Sequence, residues 1–504
     1  MIAALLPLHA VAIVFIIIWD VWMTGQIARA RAAPPLFGGL TSVGGLLLLP
    51  GILVALATSS LLYGRALSTV AWLWPVTLLA FAAQATYATA RGFVTPAIGL
   101  PIAVYDTLIA LAACVKYAVF LGLKPPETAL ALVAAQYGAL VVTTSPLALT
   151  SSLIFYVPVL APAFPARYRL STTVRLILAA VAGLWAGLII AKLWPGGAAI
   201  RSYDKYADTR LSERPEGDFA IGVKIFPDLH QGPPPLAIRE DLALVDTIDA
   251  DIVSITLAPE ATTNATLDSL ARTLDAQRRD STLLVVSLDV TEGLAALGVP
   301  AALDAERRIS AVRRIARRLR PEYLVPIVEP YGRGAVAYGI LPVQTWTSFL
   351  ARASAAAHSV SPRTKVGVSA SSYTARESAL FAWAAADGSP MDVVGFTIFP
   401  GVSGARELDA AMFAADRFMR ATRSTKEHWI WAAGSLPSVH GEASQERALN
   451  GLLSWATSRP TVRGFIVAEA GDYDTTIGLR APSRRLRPAT AAVARAVSAL
   501  RENR

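Results

Sequence analysis

Several short hydrophobic runs in the C-terminal part of this chain end in a carboxylic acid. Asp228 follows FAIGVKIF (219–226), Glu260 follows DIVSITL (251–257) and Asp289 closes TLLVVSLDV (282–290). Glu329 closes EYLVPIVEP (322–330) and Glu469 closes GFIVAEA (464–470), with Asp472 just beyond it. Carboxyl groups gathered in one mouth can divide acid and base work, one protonating a leaving oxygen while another activates water. Tyr331, Trp431 (with Trp429 beside it) and Tyr473 stand at the same run ends. Carboxylates bond hydroxyls and ring faces stack on pyranose C–H faces, so such a rim suits a sugar, with Asp228 and Asp289 as further contacts.

Other chemistries lack their residues. The single Cys114 cannot bridge within the chain or build a thiolate zinc site, and no HExxH-type spacing of ligands occurs. No metal and no cofactor is expected. Ser435 and Ser438 near His440 do not make a triad by local proximity, and His230 and His440 read as solvated histidines with a ligand contact as the sharper option. The acids have structural alternatives too. Asp228 and Asp289 could cap following helices, while Glu329 and Glu469 could bond a neighbouring strand, a loop amide or an arginine.

For these acids to meet, their runs must lie side by side with the same end up. Three further runs, KVGVSAS (365–371), DVVGFTIFP (392–400) and HWIWAAG (428–434), bring the number to eight. Amphipathic segments separate them, as in the stripe Ile309, Val312, Ile315 and Leu319. Near-continuous Val/Ile/Leu strands alternating with helices require a parallel sheet covered on its outer face. Eight units in roughly 285 residues match an α/β fold of the (β/α)8, or TIM barrel, type. The rival, an open doubly wound sheet, lacks a Gly-rich phosphate loop after its first strand. Barrels of this type carry their chemistry at the C-terminal strand ends. Alternation puts Tyr323, Val325, Ile327 and Glu329 on one face, and Phe465, Val467 and Glu469 likewise, so each glutamate would cap a column of barrel-filling side chains.

The N-terminal part has a different character. Apolar stretches fall at 2–24, 38–62, 66–88, 97–122, 128–164 and 173–194, each long enough for the roughly 20 residues of a membrane crossing. The fifth is long and broken by Pro146, Pro158 and Pro162, so it reads as two crossings or as one crossing plus a re-entrant piece. Six crossings with the N-terminus outside put Arg29, Arg31, Arg91, Arg167, Arg169 and Arg175 inside, against Arg65, Lys124 and Lys192 outside. That bias places the C-terminal part on the extracytoplasmic side of a plasma or inner membrane. The expected organisation is an all-α polytopic membrane bundle over 1–195, a linker over 196–217 and a barrel over 218–504.

Charge supports this division. Of the formal net charge of +9, +7 lies in residues 1–200, so the basic excess is not a soluble surface for nucleic acid, and a lipid bilayer is the expected partner instead. With 54% hydrophobic and 16% charged residues, fibrous and disordered classes are also excluded. Asp20, between Trp19 and Trp22, reads as a headgroup-level residue. Asp106 and Lys116 are about 15 Å apart along one helix and cannot pair. Lys116 is expected to snorkel and Asp106 to lie near an interface, the alternative being that intramembrane charges are functional. The seven arginines of Asp304–Arg320 read as a solvated helix face, with docking on anionic headgroups as the sharper option.

Three motifs in order on these strands carry a resemblance: Glu329-Pro330-Tyr331 after the fourth, Gly395-Phe396-Thr397-Ile398-Phe399-Pro400 on the sixth, and Ala468-Glu469-Ala470-Gly471-Asp472 on the eighth. Together they resemble clan A glycoside hydrolases of the family 17 and family 53 types, endo-acting enzymes on β-glucans and β-galactans. The resemblance covers about residues 217–480 and implies a general acid/base glutamate ending strand 4, which is Glu329. The Asn that precedes it in the clan is Val328 here. The clan's nucleophilic glutamate ends strand 7 in a Glu-x-Gly setting, where this chain has Ala432-Ala433-Gly434. Glu469 matches an accessory acidic residue on strand 8.

An alanine cannot attack an anomeric carbon, so the retaining scheme, with its two carboxyl groups about 5–5.5 Å apart, lacks its nucleophile. An inverting scheme with about 6.5–9.5 Å between acid and base fits better, Glu329 protonating the leaving oxygen and Glu469 or Asp472 activating water. Three functions stay open: a membrane-anchored enzyme acting on envelope or extracellular polysaccharide, a non-catalytic glycan-binding or scaffold barrel, and an accessory barrel in polysaccharide or lipid-linked sugar export.

Overall fold

The apolar stretches fold as helices, started where proline supplies the first-turn geometry, as at Pro35 and Pro96. The computed structural model describes residues 5–30, 33–64, 66–143, 155–163, 171–226, 235–290, 300–473 and 476–502. Five helices among these are long and apolar enough to cross a membrane: Leu8–Ala28, Pro35–Thr58, Ser68–Ala90, Pro96–Phe120 and Thr172–Tyr206. Arg31, Arg65, Arg167, Arg169 and Pro146, which entered the expectation about sidedness, lie outside the described residues.

The long fifth stretch is not one helix. Glu127–Thr143 is a 17-residue helix, and residues 155–163 are non-helical and mostly buried among the other helices. A non-helical backbone in an apolar bundle must find partners for groups that a helix would satisfy internally. Here polar side chains of the helices supply them. Asp106 Oδ1 accepts from Val159 N at 2.9 Å, Asp20 Oδ1 from Leu160 N at 2.8 Å and Gln84 Oε1 from Ala161 N at 3.0 Å. In return, Gln84 donates to Ala161 O, Trp19 to Leu160 O and Tyr105 to Val157 O. Pro158 and Pro162 have no N–H to satisfy. Asp20 and Asp106 are therefore fully buried rather than interfacial. Their places were misjudged because the sequence does not reveal the non-helical segment they serve.

The C-terminal part is a closed parallel barrel of eight strands in sequential order. These are β1 (Ala220–Lys224), β2 (Ile252–Leu257), β3 (Leu283–Leu288), β4 (Tyr323–Val325), β5 (Lys365–Ala370), β6 (Val393–Ile398), β7 (Glu427–Ala433) and β8 (Val462–Val467). Inside the barrel pack Ile252, Val285, Tyr323, Val325, Val393, Trp429, Trp431 and Ile466. The two tryptophan rings stack with centroids 5.1 Å apart and planes 16° from parallel. They fit because the nearby strands β5, β6 and β8 carry glycine: a Cβ at Gly367 would stand 2.7 Å from Trp431, and Gly395 and Gly464 crowd the same two rings. β7 slips register against β6 after Phe396, a bulge that lets Trp431 and Ala432 both face the mouth.

The simple alternation expected for the fourth and eighth runs does not hold. Ile327, Phe465 and Val467 belong to the outer core between strands and helices, while Val325 and Ile466 fill the barrel. β4 ends at Val325, and Glu329 adopts φ +50, a left-handed turn that re-aims its side chain. Both glutamates reach the mouth through the bends after their strands, not by capping a column.

The arginine-rich helix Ala305–Arg318 also departs from a purely solvated face. Arg308 is buried and donates to Leu288 O, Asp289 O, Pro326 O and the Tyr338 hydroxyl, tying the ends of β3 and β4 together. Residues 196–217 run from the last turns of the Ser171–Arg201 helix to the foot of the barrel. Tyr203 and Tyr206 pack into the outer core there, and Arg214 donates to Arg459 O and Val462 O at 2.8 Å.

Candidate active site

The C-terminal strand ends do not open to solvent alone, because the helical part is seated over them. Leu61 N donates to Asp472 O at 2.6 Å, and Leu61 packs with Phe226, Ala237 and Tyr473. Leu130, Ala134 and Ile200 pack against Leu436 and Val439 beyond β7, and Arg485 lies beside Gly122. Between these contacts lies a cavity of about 1810 Å³, bounded below by the barrel mouth and above by the apolar helices.

Glu329, Glu469, Asp289, Trp431 and Ala432 all line this cavity. Glu329 is held by a tight loop in which its own carbonyl accepts from Gly332 N at 3.0 Å and Gly334 N at 2.9 Å. Burial raises the Glu329 carboxyl above its ordinary range, partly offset by Arg333 and Ser371 beside it. Arg333 also pairs with Asp289 at 3.1 Å. Ser371 is placed by Glu377, whose Oε1 accepts from Ser371 N at 3.0 Å. Glu469 is nearly buried, with Lys224 Nζ 3.8 Å away. Trp431 forms the floor, its indole nitrogen donating to Val368 O at 3.2 Å.

The mouth thus presents a glutamate with a raised proton affinity, a second glutamate beside an ammonium, and an aromatic floor. A carboxyl whose proton affinity is raised is better suited to act as a general acid than an ordinary one. At the position after Trp431 the side chain is a methyl group. Strands β4 and β8 are four apart in the closed order, so their glutamates approach the cavity from opposite sides.

Other expected residues are placed differently. Asp472 lies on the cavity wall but is committed to Arg487, which donates from both terminal nitrogens to its two oxygens at 2.8 and 2.6 Å. Gly478 N donates to it as well, at 2.8 Å. Three donors thus tie Asp472 into the wall, whereas Glu469 lies beside the Lys224 ammonium at the longer distance of 3.8 Å. Tyr473 also lines the cavity, but its hydroxyl donates to Asp241 at 2.8 Å, a buried acid pushed up to about 6 by desolvation.

Tyr331 is not a wall of the cavity. Its ring packs in the outer core and its hydroxyl donates to Leu341 O at 3.2 Å, because the turn at Glu329 sends the next residues outward. His440 is buried, not solvated, and burial lowers its imidazole to about 4. Asp228 and His230 lie outside the described residues. Lys224 and Arg333 were missed by sequence reasoning. Lys224 was legible by alternation from Gly222 along β1, while nothing in the sequence marked Arg333. Among the described residues no group of His, Cys, Asp and Glu could hold a metal ion.

No family model matches this chain, and no curated protein does. Solved structures similar to it include a β-glucosidase from Thermotoga maritima in complex with glucoimidazole, 11% identical with a TM-score of 0.44, covering 57% of this chain and 99% of that one. An exo-β-1,4-mannosidase from Opitutaceae bacterium strain TAV5 is 14% identical with a TM-score of 0.42, covering 58% and 63%. A family 39 glycoside hydrolase from Bacteroides cellulosilyticus WH2 is 12% identical with a TM-score of 0.42, covering 57% and 65%. The likeness to families 17 and 53 remains a reading of the three motifs.

Proposed function

We propose that this chain is a membrane-anchored glycoside hydrolase-like protein that cleaves a glycosidic bond with inversion at the barrel mouth. The observation that carries this reading is that Glu329 and Glu469 line one cavity over an indole floor while the strand-7 position is alanine. Glu329 gives its proton to the glycosidic oxygen as the bond to the anomeric carbon breaks. Glu469 takes a proton from the water that attacks the same carbon from the opposite face. Asp289 and Arg333 hold sugar hydroxyls, and Trp431 stacks on the ring. The five long apolar helices support anchoring in a bilayer; the extracytoplasmic side for the barrel rests on the arginine bias of six crossings, with Glu127–Thr143 as the sixth.

The test is hydrolysis of a panel of β- and α-linked glycans by the full chain in detergent, with Glu329→Gln beside it. Loss of a general acid lowers turnover by roughly 10²–10⁴-fold. A Glu329→Gln protein as active as the wild type refutes the scheme. The second reading, a glycan-binding barrel without catalysis, is favoured by Ala432, and wild-type binding without turnover selects it.

A further inference from the structure

We propose that the sugar taken by this mouth is attached to a lipid through phosphate, its chain lying along the helical wall of the cavity. The inference rests on the reading of the mouth as a sugar site and adds the class of aglycone. A barrel that trims soluble polysaccharide needs a mouth open to water, whereas here the apolar helices form the roof. The wall facing the carboxylates includes Leu56, Trp74, Leu78, Phe120, Leu140 and Phe155, on or packed between segments long and apolar enough for a bilayer. Those side chains give hydroxyls nothing to bond, and a hydrocarbon chain gains by covering them. The volume of about 1810 Å³ exceeds the roughly 300–1,000 Å³ of pockets built for one drug-sized molecule, leaving room for more than a sugar.

That wall also carries hydroxyls, among them Ser59, Ser60, Tyr117 and Tyr137, and two of its other polar groups suit a charged linker. Lys116 lines the cavity and makes no ion pair or hydrogen bond among the described residues. It stands four residues before the end of the Pro96–Phe120 helix, about 6 Å along the axis, close to where Gly122 meets Arg485 of the barrel. Gln136 on the same wall has a buried amide oxygen without a partner among the described residues. An ammonium at the seam between a sugar mouth and an apolar wall matches an anionic linker between sugar and chain, and phosphate is the linker of that charge and size.

The experiment is a binding titration, which separates this inference from hydrolysis. Full-length Glu329→Gln protein in nanodiscs is titrated with a decyl phosphosugar, the decyl glycoside and the sugar 1-phosphate, each made with glucose, galactose, mannose and N-acetylglucosamine. Fluorescence of the cavity tryptophans is the readout. With the preferred sugar, the decyl phosphosugar binds at least one hundredfold tighter than the sugar 1-phosphate. Ala55→Trp, or Leu140→Trp where the first does not fold, fills the helical wall and abolishes that gain without changing sugar 1-phosphate binding. Lys116→Gln weakens the decyl phosphosugar about tenfold and leaves the decyl glycoside unchanged. Equal binding with and without the chain, or a chain gain that survives both wall variants, overturns the lipid assignment while the sugar reading stands. A Lys116→Gln loss shared by the decyl glycoside overturns the phosphate. Failure of every probe to bind overturns the sugar reading itself.

Discussion

Gly332→Ala tests whether the placement of Glu329, and not merely its presence, makes the site. A Cβ at residue 332 would stand 2.6 Å from Glu329 Oε2 and 3.0 Å from Glu329 Cβ, and it would also crowd Ser371 Oγ. Ordinary contact begins near 3.4 Å, so the carboxyl must retreat by roughly 0.8 Å. A displacement of about 1 Å at a reacting group costs on the order of 10²-fold in rate, or about 2.7 kcal/mol of activation free energy. Glu329 Cβ cannot swing away as the carboxyl can, and Gly332 has φ -94 and ψ -105, outside the regions open to alanine, so the fold loses about 1–3 kcal/mol. Turnover and thermal unfolding are measured side by side in detergent on the best glycan found for the wild type. Turnover reduced about a hundredfold, with an unfolding midpoint within a few degrees of wild type, is the expected pair. Wild-type turnover with a folded Gly332→Ala protein would refute the placement argument and, with it, the role of Glu329 as the proton donor.

Three further expectations follow from groups away from the reacting atoms. His428 is buried between Phe381 and Phe396, and burial lowers it to about 4, offset in part by the Lys426 carbonyl. The unfolded chain binds the proton more readily between pH 4 and 6.5, so stability is full above that range and falls as pH drops through it. From pH 7.5 to 5 this histidine removes about 2 kcal/mol; His428→Phe keeps the ring stack and should lose that much of the acid sensitivity in unfolding measured across pH. Asp106→Leu strands the Val159 N–H and should cost about 1–3 kcal/mol in thermal unfolding, whereas Asp106→Asn keeps an acceptor and should cost less than half as much; equal losses would count against the hydrogen bond. Arg487→Met leaves the buried Asp472 unpaired and should destabilise by about 3–5 kcal/mol, with the loss shrinking in Asp472→Asn/Arg487→Met; a mild single-variant loss would reopen Asp472 as a functional acid.

The barrel was legible because eight near-continuous apolar runs leave few ways to bury both faces of a strand. The site was legible in composition but not in aim. Parity along EYLVPIVEP failed because β4 stops at Val325 and Glu329 turns left-handed, and no periodicity reports where a strand stops pairing. Tyr331 was lost with that turn. Asp472 looked available because its partner Arg487 lies beyond a loop, and long-range ion pairs leave no local trace in a sequence. In the helical part, the segment around Val157–Ala161 is as apolar as any helix around it. The signal lay elsewhere, in the carboxylates and amide of Asp20, Gln84 and Asp106, groups too costly to bury unless some non-helical backbone needed them. Lys224, two residues along from Gly222, could have been found by the same alternation that misled on β4.

The non-helical segment packed at Val157–Ala161 has a consequence for biogenesis. Its amides and carbonyls are answered by Trp19, Asp20, Gln84, Tyr105 and Asp106, which stand on three separate helices. In a bilayer, the segment would have no resting place in hydrocarbon until those three had come together. Its packing would then follow the association of the three helices, a late wedge whose seating reports whether the bundle has assembled.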